Sequence, residues 1–247
     1  MQTLEMKPIP VNLDARQNHL LDALWDDGKP AWLQLLEPVD MPLGKTLYEA
    51  GAEVKHVYFP TTSIVSLMYA LENGATAETA VVGFEGIVGV SLFMGGESSP
   101  CAAVVRSAGR GFRLSAETMM QEFHHCGRVQ RIVLRYAQAM ITQMSQTAVC
   151  NRHHSVDQQL CRWLLLSLDR LRSLDVVMTQ EQIATILGVR REGITAAAVA
   201  LQKDGLIHYA RGRIVVVDRA GLEKRSCECY SVVKAEYDHL LPDEPAQ

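Results

Sequence analysis

Three textures of hydrophobic and polar positions succeed one another along the chain. Up to about residue 40 the apolar residues fall into short helical groups, Asn18-His19-Leu20-Leu21 and Trp32-Leu33 with Leu35-Leu36, broken by Asp27-Gly28-Lys29-Pro30. From Val39 the period shortens towards two. Residues 46–48, 54–59, 64–70, 79–82 and 102–106 read as strands, separated by breakers at Gly44, Gly51, Pro60, Asn73-Gly74 and Gly95-Gly96. Short strands at this pitch predict a small β-barrel or roll. After Ser115 the helical spacing returns. Val129, Val133, Tyr136, Met140, Gln143, Thr147 and Cys150 recur at steps of four and three, a coiled-coil-like seam on one long helix. The first half of that seam also suits packing on the chain's own strands. Polar Gln143 and Thr147 inside it are of the kind that fixes register between paired helices, so the seam predicts a dimer.

Residues 151–154 interrupt the series, and Ser155 with Gln158 forms a capping box that opens a further helix to about Arg172. This interruption is the expected hinge. Thr179 with Gln182 makes a second capping box, followed by Ile183, Ala184 and Leu187 on one helical face. Gly188 stands where a tight helix-to-helix turn requires positive φ. A second helix over about 190–203 turns Ile194, Ala197, Ala198 and Leu201 inward. Its leading end turns Arg190, Arg191, Glu192 and Thr195 outward. Arginine forks suit guanine O6 and N7, and a carboxylate suits cytosine N4, so this end has what a major-groove reader needs. Residues 206–209 and 214–217 then read as strands around the turn Arg211-Gly212-Arg213. That hairpin is a wing whose arginines meet phosphates. Thr179, Gln180, Arg190, Arg191, Glu192, Thr195, Arg211 and Arg213 are the candidate DNA-binding residues. A last helix is expected over 220–241, with a disordered tail from Pro242.

Composition narrows the class. The 247 residues are 48% hydrophobic and 21% charged, ordinary for a folded chain of one large domain or two. A net charge of −4 argues against a protein that coats nucleic acid without regard to sequence. Residues 175–225 nevertheless carry 8 Lys and Arg against 6 Asp and Glu, a mildly basic module on an acidic body. Neither a signal pattern nor a membrane-length apolar run is present, which predicts a cytoplasmic protein without a membrane partner. The six cysteines are scattered, as reduced thiols are. Cys227-Glu228-Cys229 could chelate a soft metal, but no further Cys or His stands at zinc-type spacing. The expectation is therefore no metal, with two thiols packed under the wing.

A β-roll, a long dimer helix, a hinge and a winged helix-turn-helix together resemble the Crp/Fnr family of bacterial transcription regulators, most specifically at GVRREGIT. The resemblance implies an α+β chain in three parts. Residues 1–127 would be a cyclic-nucleotide-binding-like sensor, a double-stranded β-helix or jelly roll. Residues 128–154 would be the dimerisation helix and hinge, and 155–247 the winged helix-turn-helix with a C-terminal helix. It further implies a homodimer on a palindromic operator, base contacts by Arg191 and Glu192 flanked by Arg190 and Thr195, and RNA polymerase as a partner of an activator. The family often places another arginine four or five residues after the Arg-Glu pair. Thr195 and Ala196 stand there, so the operator's letters do not carry over. In the sensor, Glu85, Gly86, Val90 and Ser99 mark the expected effector pocket. Val90 stands near the acidic position of cyclic-nucleotide binders, and Ser99-Pro100-Cys101 where their arginine would be. A buried phosphate needs such a permanently charged partner, which argues against cAMP. No cysteine precedes Cys101, which argues against the N-terminal iron–sulfur cluster of oxygen-sensing relatives.

Other chemistries are weaker. His56, His124 and His125 could ligate haem but suit surface or packing positions equally. His153 and His154 at the hinge could titrate near neutral pH. Gly83-Phe84-Glu85-Gly86 opens no clear phosphate site, and only His56 lies among the strands where a metal barrel needs several histidines, so no enzyme is expected. The rival reading is a ligand-sensing module whose winged helix contacts a protein; arginines at the groove-facing positions favour DNA.

Overall fold

The computed structural model describes residues 14–25, 30–96, 98–171 and 175–241. After helix α1 (His19–Leu24) and a 3-10 turn (Ala31–Leu35), strand β1 (Glu37–Met41) enters the roll. It is followed by β2 (Thr46–Tyr48), β3 (His56–Pro60), β4 (Ile64–Ala70), β5 (Thr76–Val82), β6 (Ala102–Ser107) and β7 (Gly109–Ser115). These pair antiparallel in two sheets of order β1-β7-β3 and β2-β6-β4-β5. The five expected strands are present with small changes of bounds. Two were missed. β1 begins inside the stretch expected to be a helical lead-in. β7, which carries Gly109 and Gly111, lies in a stretch given no strand by its residue pattern. A Cβ on Gly109 would meet the backbone of Thr62 at 2.5 Å, and one on Gly111 the carbonyl of Phe59 at 2.6 Å. These glycines permit close approach inside a sheet and do not end a strand. The break predicted at 27–30 lies largely outside the described residues, as does the tail from Pro242.

Ser115 caps α2 (Ala116–His124) by accepting from Thr118 N at 3.1 Å. Helix α3 (Arg128–His153) runs on through Asn151, Arg152 and His153, so the break expected over 151–154 falls at His154-Ser155; α4 (Val156–Leu168) follows behind the predicted Ser155/Gln158 capping box. α4 is buried along its whole later length, from Gln159 to Leu168, as a helix apolar nearly all round must be. Strand β8 (Asp175–Val177), helices α5 (Gln180–Leu187) and α6 (Arg191–Lys203), strands β9 (Ile207–Ala210) and β10 (Arg213–Val216), and helices α7 (Arg219–Arg225) and α8 (Glu228–Leu240) complete the chain. The single C-terminal helix expected over 220–241 is thus two, broken at Ser226-Cys227. No helix among the described residues is long and apolar enough to cross a membrane.

The seam predicted to pair two copies turns the other way. Val129, Val133, Tyr136, Met140 and Gln143 are buried within one chain, and Thr147 is half-buried. The side chain of Gln143 satisfies both backbone polar groups of one residue, accepting from Val81 N at 3.1 Å and donating to Val81 O at 3.2 Å. It also donates to Tyr237 Oη at 2.9 Å. Thr147 Oγ1 donates to Gln143 O at 2.8 Å and accepts from Arg162 at 2.6 Å. The polar residues assigned to register between copies are therefore satisfied by β5, α4 and α8 of the same chain. Periodicity identifies a buried stripe without naming what buries it. A second row of α3 is exposed: Leu134, Gln138, Ile141, Ser145 and Ala148, again at steps of four and three, with Val149 beside it.

Candidate nucleic-acid interface

The two-helix unit follows from local sequence. Thr179 Oγ1 accepts from Gln182 N at 3.2 Å, and Gln182 Oε1 accepts from Thr179 N at 2.9 Å, closing the predicted capping box. Gly188 ends α5 at φ 65°, the left-handed conformation that glycine adopts at little cost. Ile194, Ala197, Ala198 and Leu201 are buried on the inner face of α6. Arg190, Arg191, Glu192 and Thr195 are exposed on its leading end. Arg191 Nε lies 3.9 Å from Glu181 Oε2, with the two side chains 65% and 69% exposed. Such a pair contributes roughly 0–1 kcal/mol, so a base or phosphate can replace it.

Two predicted contacts are already engaged. Thr195 Oγ1 donates to Gln180 Oε1 at 2.7 Å, tying the first residue of α5 to α6. The Thr179 hydroxyl is occupied by its cap, so Thr179 positions α5 and does not offer a free hydroxyl.

The wing is fastened to this unit. Arg211 at φ 49° and Gly212 at φ 76° form the two-residue turn between β9 and β10, with Ala210 and Arg213 paired across it. Positive φ at both central positions is the type I′ turn, whose twist matches the flanking strands. Met178 N donates to Gly212 O at 2.7 Å, and Tyr209 N to Gln202 Oε1 at 2.8 Å. The tip is thereby held against the start of α5 and the flank against α6. Arg211 and Arg213 are exposed there, on the same rigid unit as Arg190 and Arg191.

The expected effector residues are each in use. Glu85 accepts from Arg170 Nε at 2.7 Å and from Gly83 N at 3.0 Å. Gly86 lies under Tyr136, whose hydroxyl a Cβ there would meet at 2.3 Å. Val90 is buried at the start of a 3-10 turn, and buried Ser99 accepts from Cys101 N at 3.2 Å.

What sequence reading missed is the partner of Glu85. Arg170, 3% exposed at the end of α4, pairs with Glu85, donates to Leu166 O at 3.0 Å and stacks 5.1 Å above the Tyr237 ring of α8. Beside it lies a cavity of about 210 Å³, lined by His19, Phe84, Glu85, Arg170, Lys234 and Tyr237 among others. On the other side of α4, Glu78 of β5 is buried and accepts from the Ser66 hydroxyl. Burial pushes its carboxyl up to about 6, against the opposing pull of Ser66, Arg106 and Arg162.

Cys227 and Cys229 are not under the wing. They meet Cys150 and His154 at the end of α3, a grouping that separations of about 75 residues hid from a spacing argument. His56 is half-buried on β3, while His124 and His125 are exposed at the end of α2.

An antiparallel roll, a long helix and a winged helix-turn-helix make up the architecture. Residues 158–225 match the family model described as a Crp-like helix-turn-helix domain. No curated protein matches the chain by sequence. Solved structures extend the likeness to the whole fold. FixK2 from Bradyrhizobium japonicum superposes at TM-score 0.68, with 16% identity over 78% of this chain and 98% of that one. A CRP-family transcriptional regulator from Thermus thermophilus gives 0.62, with 22% identity over 76% and 96%. The c-di-GMP-responsive global regulator CLP of Xanthomonas campestris gives 0.61, with 16% identity over 81% and 98%. The chain has a Crp/Fnr-like regulator fold carrying a helix-turn-helix DNA-binding domain.

Proposed function

We propose that the chain is a sequence-specific transcription regulator that acts in the cytoplasm as a homodimer on a palindromic operator. The observation that carries this reading is the exposed leading end of α6, Arg190-Arg191-Glu192, held on one rigid unit with the arginines of the wing tip. Arg191 and Glu192 read base edges in the major groove, and Arg211 and Arg213 hold phosphates. The dimer forms through the exposed row Leu134, Gln138, Ile141, Ser145 and Ala148 of α3. Each copy then offers one α6 to successive major grooves about 34 Å apart. Control by a small molecule reaches the DNA-binding part through the turn at 83–86, because Glu85 there is locked to Arg170 just past the end of α4. Serine and cysteine stand where a cyclic phosphate needs arginine, so that effector is other than cAMP. Selection of bound duplexes from a random-sequence pool tests the reading. Enrichment of a two-fold-symmetric site supports it, and an unenriched pool with equal affinity for every duplex contradicts it.

A further inference from the structure

Four soft ligands converge where the long helix meets the C-terminal helix. Cys150 lies in the last turn of α3, and His154 is the extended C-cap residue of that helix, its N–H donating to Cys150 O at 3.0 Å. Cys227 is the N-cap of α8 and Cys229 lies in its first turn. Their ligand atoms all lie within 4.8 Å of one another. Cys150 Sγ is 3.6 Å from Cys227 Sγ, and Cys229 Sγ is 3.5 Å from His154 Nδ1. These are the edges of a tetrahedron around an ion with metal–sulfur bonds near 2.3 Å and metal–nitrogen bonds near 2.1 Å, roughly 3.5–3.8 Å. The three cysteines are buried, at 0, 5 and 1% exposure.

Two neighbours complete the pattern of a metal centre. The free ring nitrogen of His154, Nε2, lies 3.4 Å from Glu228 Oε1. A ligating histidine characteristically gives its second nitrogen to a carboxylate, which fixes its tautomer and direction. Arg162, 4% exposed on α4, lies close enough to favour the charged forms of Cys150 and Cys229. Three thiolates and a neutral histidine around a divalent ion leave one negative charge, which this buried guanidinium offsets.

We propose that Cys150, His154, Cys227 and Cys229 form a closed tetrahedral zinc site that clamps the hinge at residues 154–155 to the start of α8. Sulfur-rich, four-coordinate and buried, it suits Zn²⁺ in a structural role, with no open position for catalysis. Zinc there ties α3 to the C-terminal helix and fixes the angle at which α4 and the helix-turn-helix leave the long helix. The inference does not rest on the DNA-binding reading, because its test needs no DNA.

The experiment uses the full chain, purified under reducing conditions, stripped with a chelator and titrated with Co²⁺ while the visible and near-ultraviolet spectrum is followed. One Co²⁺ per chain is expected, with the d–d bands of a tetrahedral ion and a thiolate-to-cobalt charge-transfer band, both lost on adding one equivalent of Zn²⁺. Cys229→Ser is expected to weaken the charge-transfer band. Glu228→Gln, whose side chain is largely exposed and whose loss spares the fold, is expected to lower zinc affinity about 10–100-fold with the bands retained. A cobalt spectrum without thiolate bands, or thiolate bands left unchanged in Cys229→Ser, overturns the proposal.

Discussion

Arg191 and Arg211 occupy the same surface, yet shortening each removes something different. Arg191 sits at the exposed tip of α6, the position proposed to read base edges. Arg191→Ala is expected to cost roughly 1–3 kcal/mol on the selected duplex and to relax discrimination at one base pair, measured by competition anisotropy. Arg211 sits on the turn of the wing, the position proposed to hold a backbone phosphate. Arg211→Ala is expected to weaken binding to all sequences alike and to reduce the slope of log K against log salt by about one. Glu78 carries a pH effect of calculable sign. The unfolded chain releases this proton near 4.5 and the native chain near 6, so native stability falls as pH rises between those values. Glu78→Gln removes the buried charge while keeping an acceptor for Ser66. It is expected to stabilise the chain above pH 6 by on the order of 1–2 kcal/mol and to make no difference below about pH 4, as read from denaturant midpoints.

At the scale of elements, α3 shows what a periodic pattern can and cannot say. A stripe of Val129, Val133, Tyr136 and Met140 announces a long helix with a buried face, and that much was legible. Which surface covers the face depends on β5 and α8, whose bonds to Gln143 span 62 and 94 residues of sequence, and the pattern holds no trace of them. The row that remains open, Leu134 to Ala148, is weaker in apolar content because Gln138 and Ser145 alternate with Leu134, Ile141 and Ala148. If the proposed dimer forms through this row, Ile141→Glu is expected to give monomers in sedimentation equilibrium where the unsubstituted chain gives dimers, with the helical circular dichroism unchanged. The ion pair of Arg170 with Glu85 joins the roll to α4, and it was equally hidden, its members lying 85 residues apart. Arg170→Ala strands a carboxylate that is only 14% exposed, and is expected to cost about 3–5 kcal/mol of stability.

At the scale of the whole molecule, the readable features were those written within about five residues of each other. The boxes Thr179/Gln182 and Ser155/Gln158, the left-handed Gly188, the inward face of α6 and the wing turn at Arg211-Gly212 are all set by local chemistry, and each stands where the residues placed it. The roll's strands were legible wherever branched and aromatic residues alternate. β7 was not, because its glycines serve a neighbour's backbone. The cysteine–histidine cluster lay beyond a spacing rule, since the hinge at one end of α3 and the break before α8 meet only in three dimensions.

The central claim is that two copies of α6 enter successive major grooves on one face of a duplex. Hydroxyl-radical and guanine-methylation footprinting on a selected duplex tests it most directly. Two symmetric patches of major-groove protection one helical turn apart are expected, both lost in Arg191→Ala. Protection confined to a single patch, or spread evenly along the duplex, would contradict it.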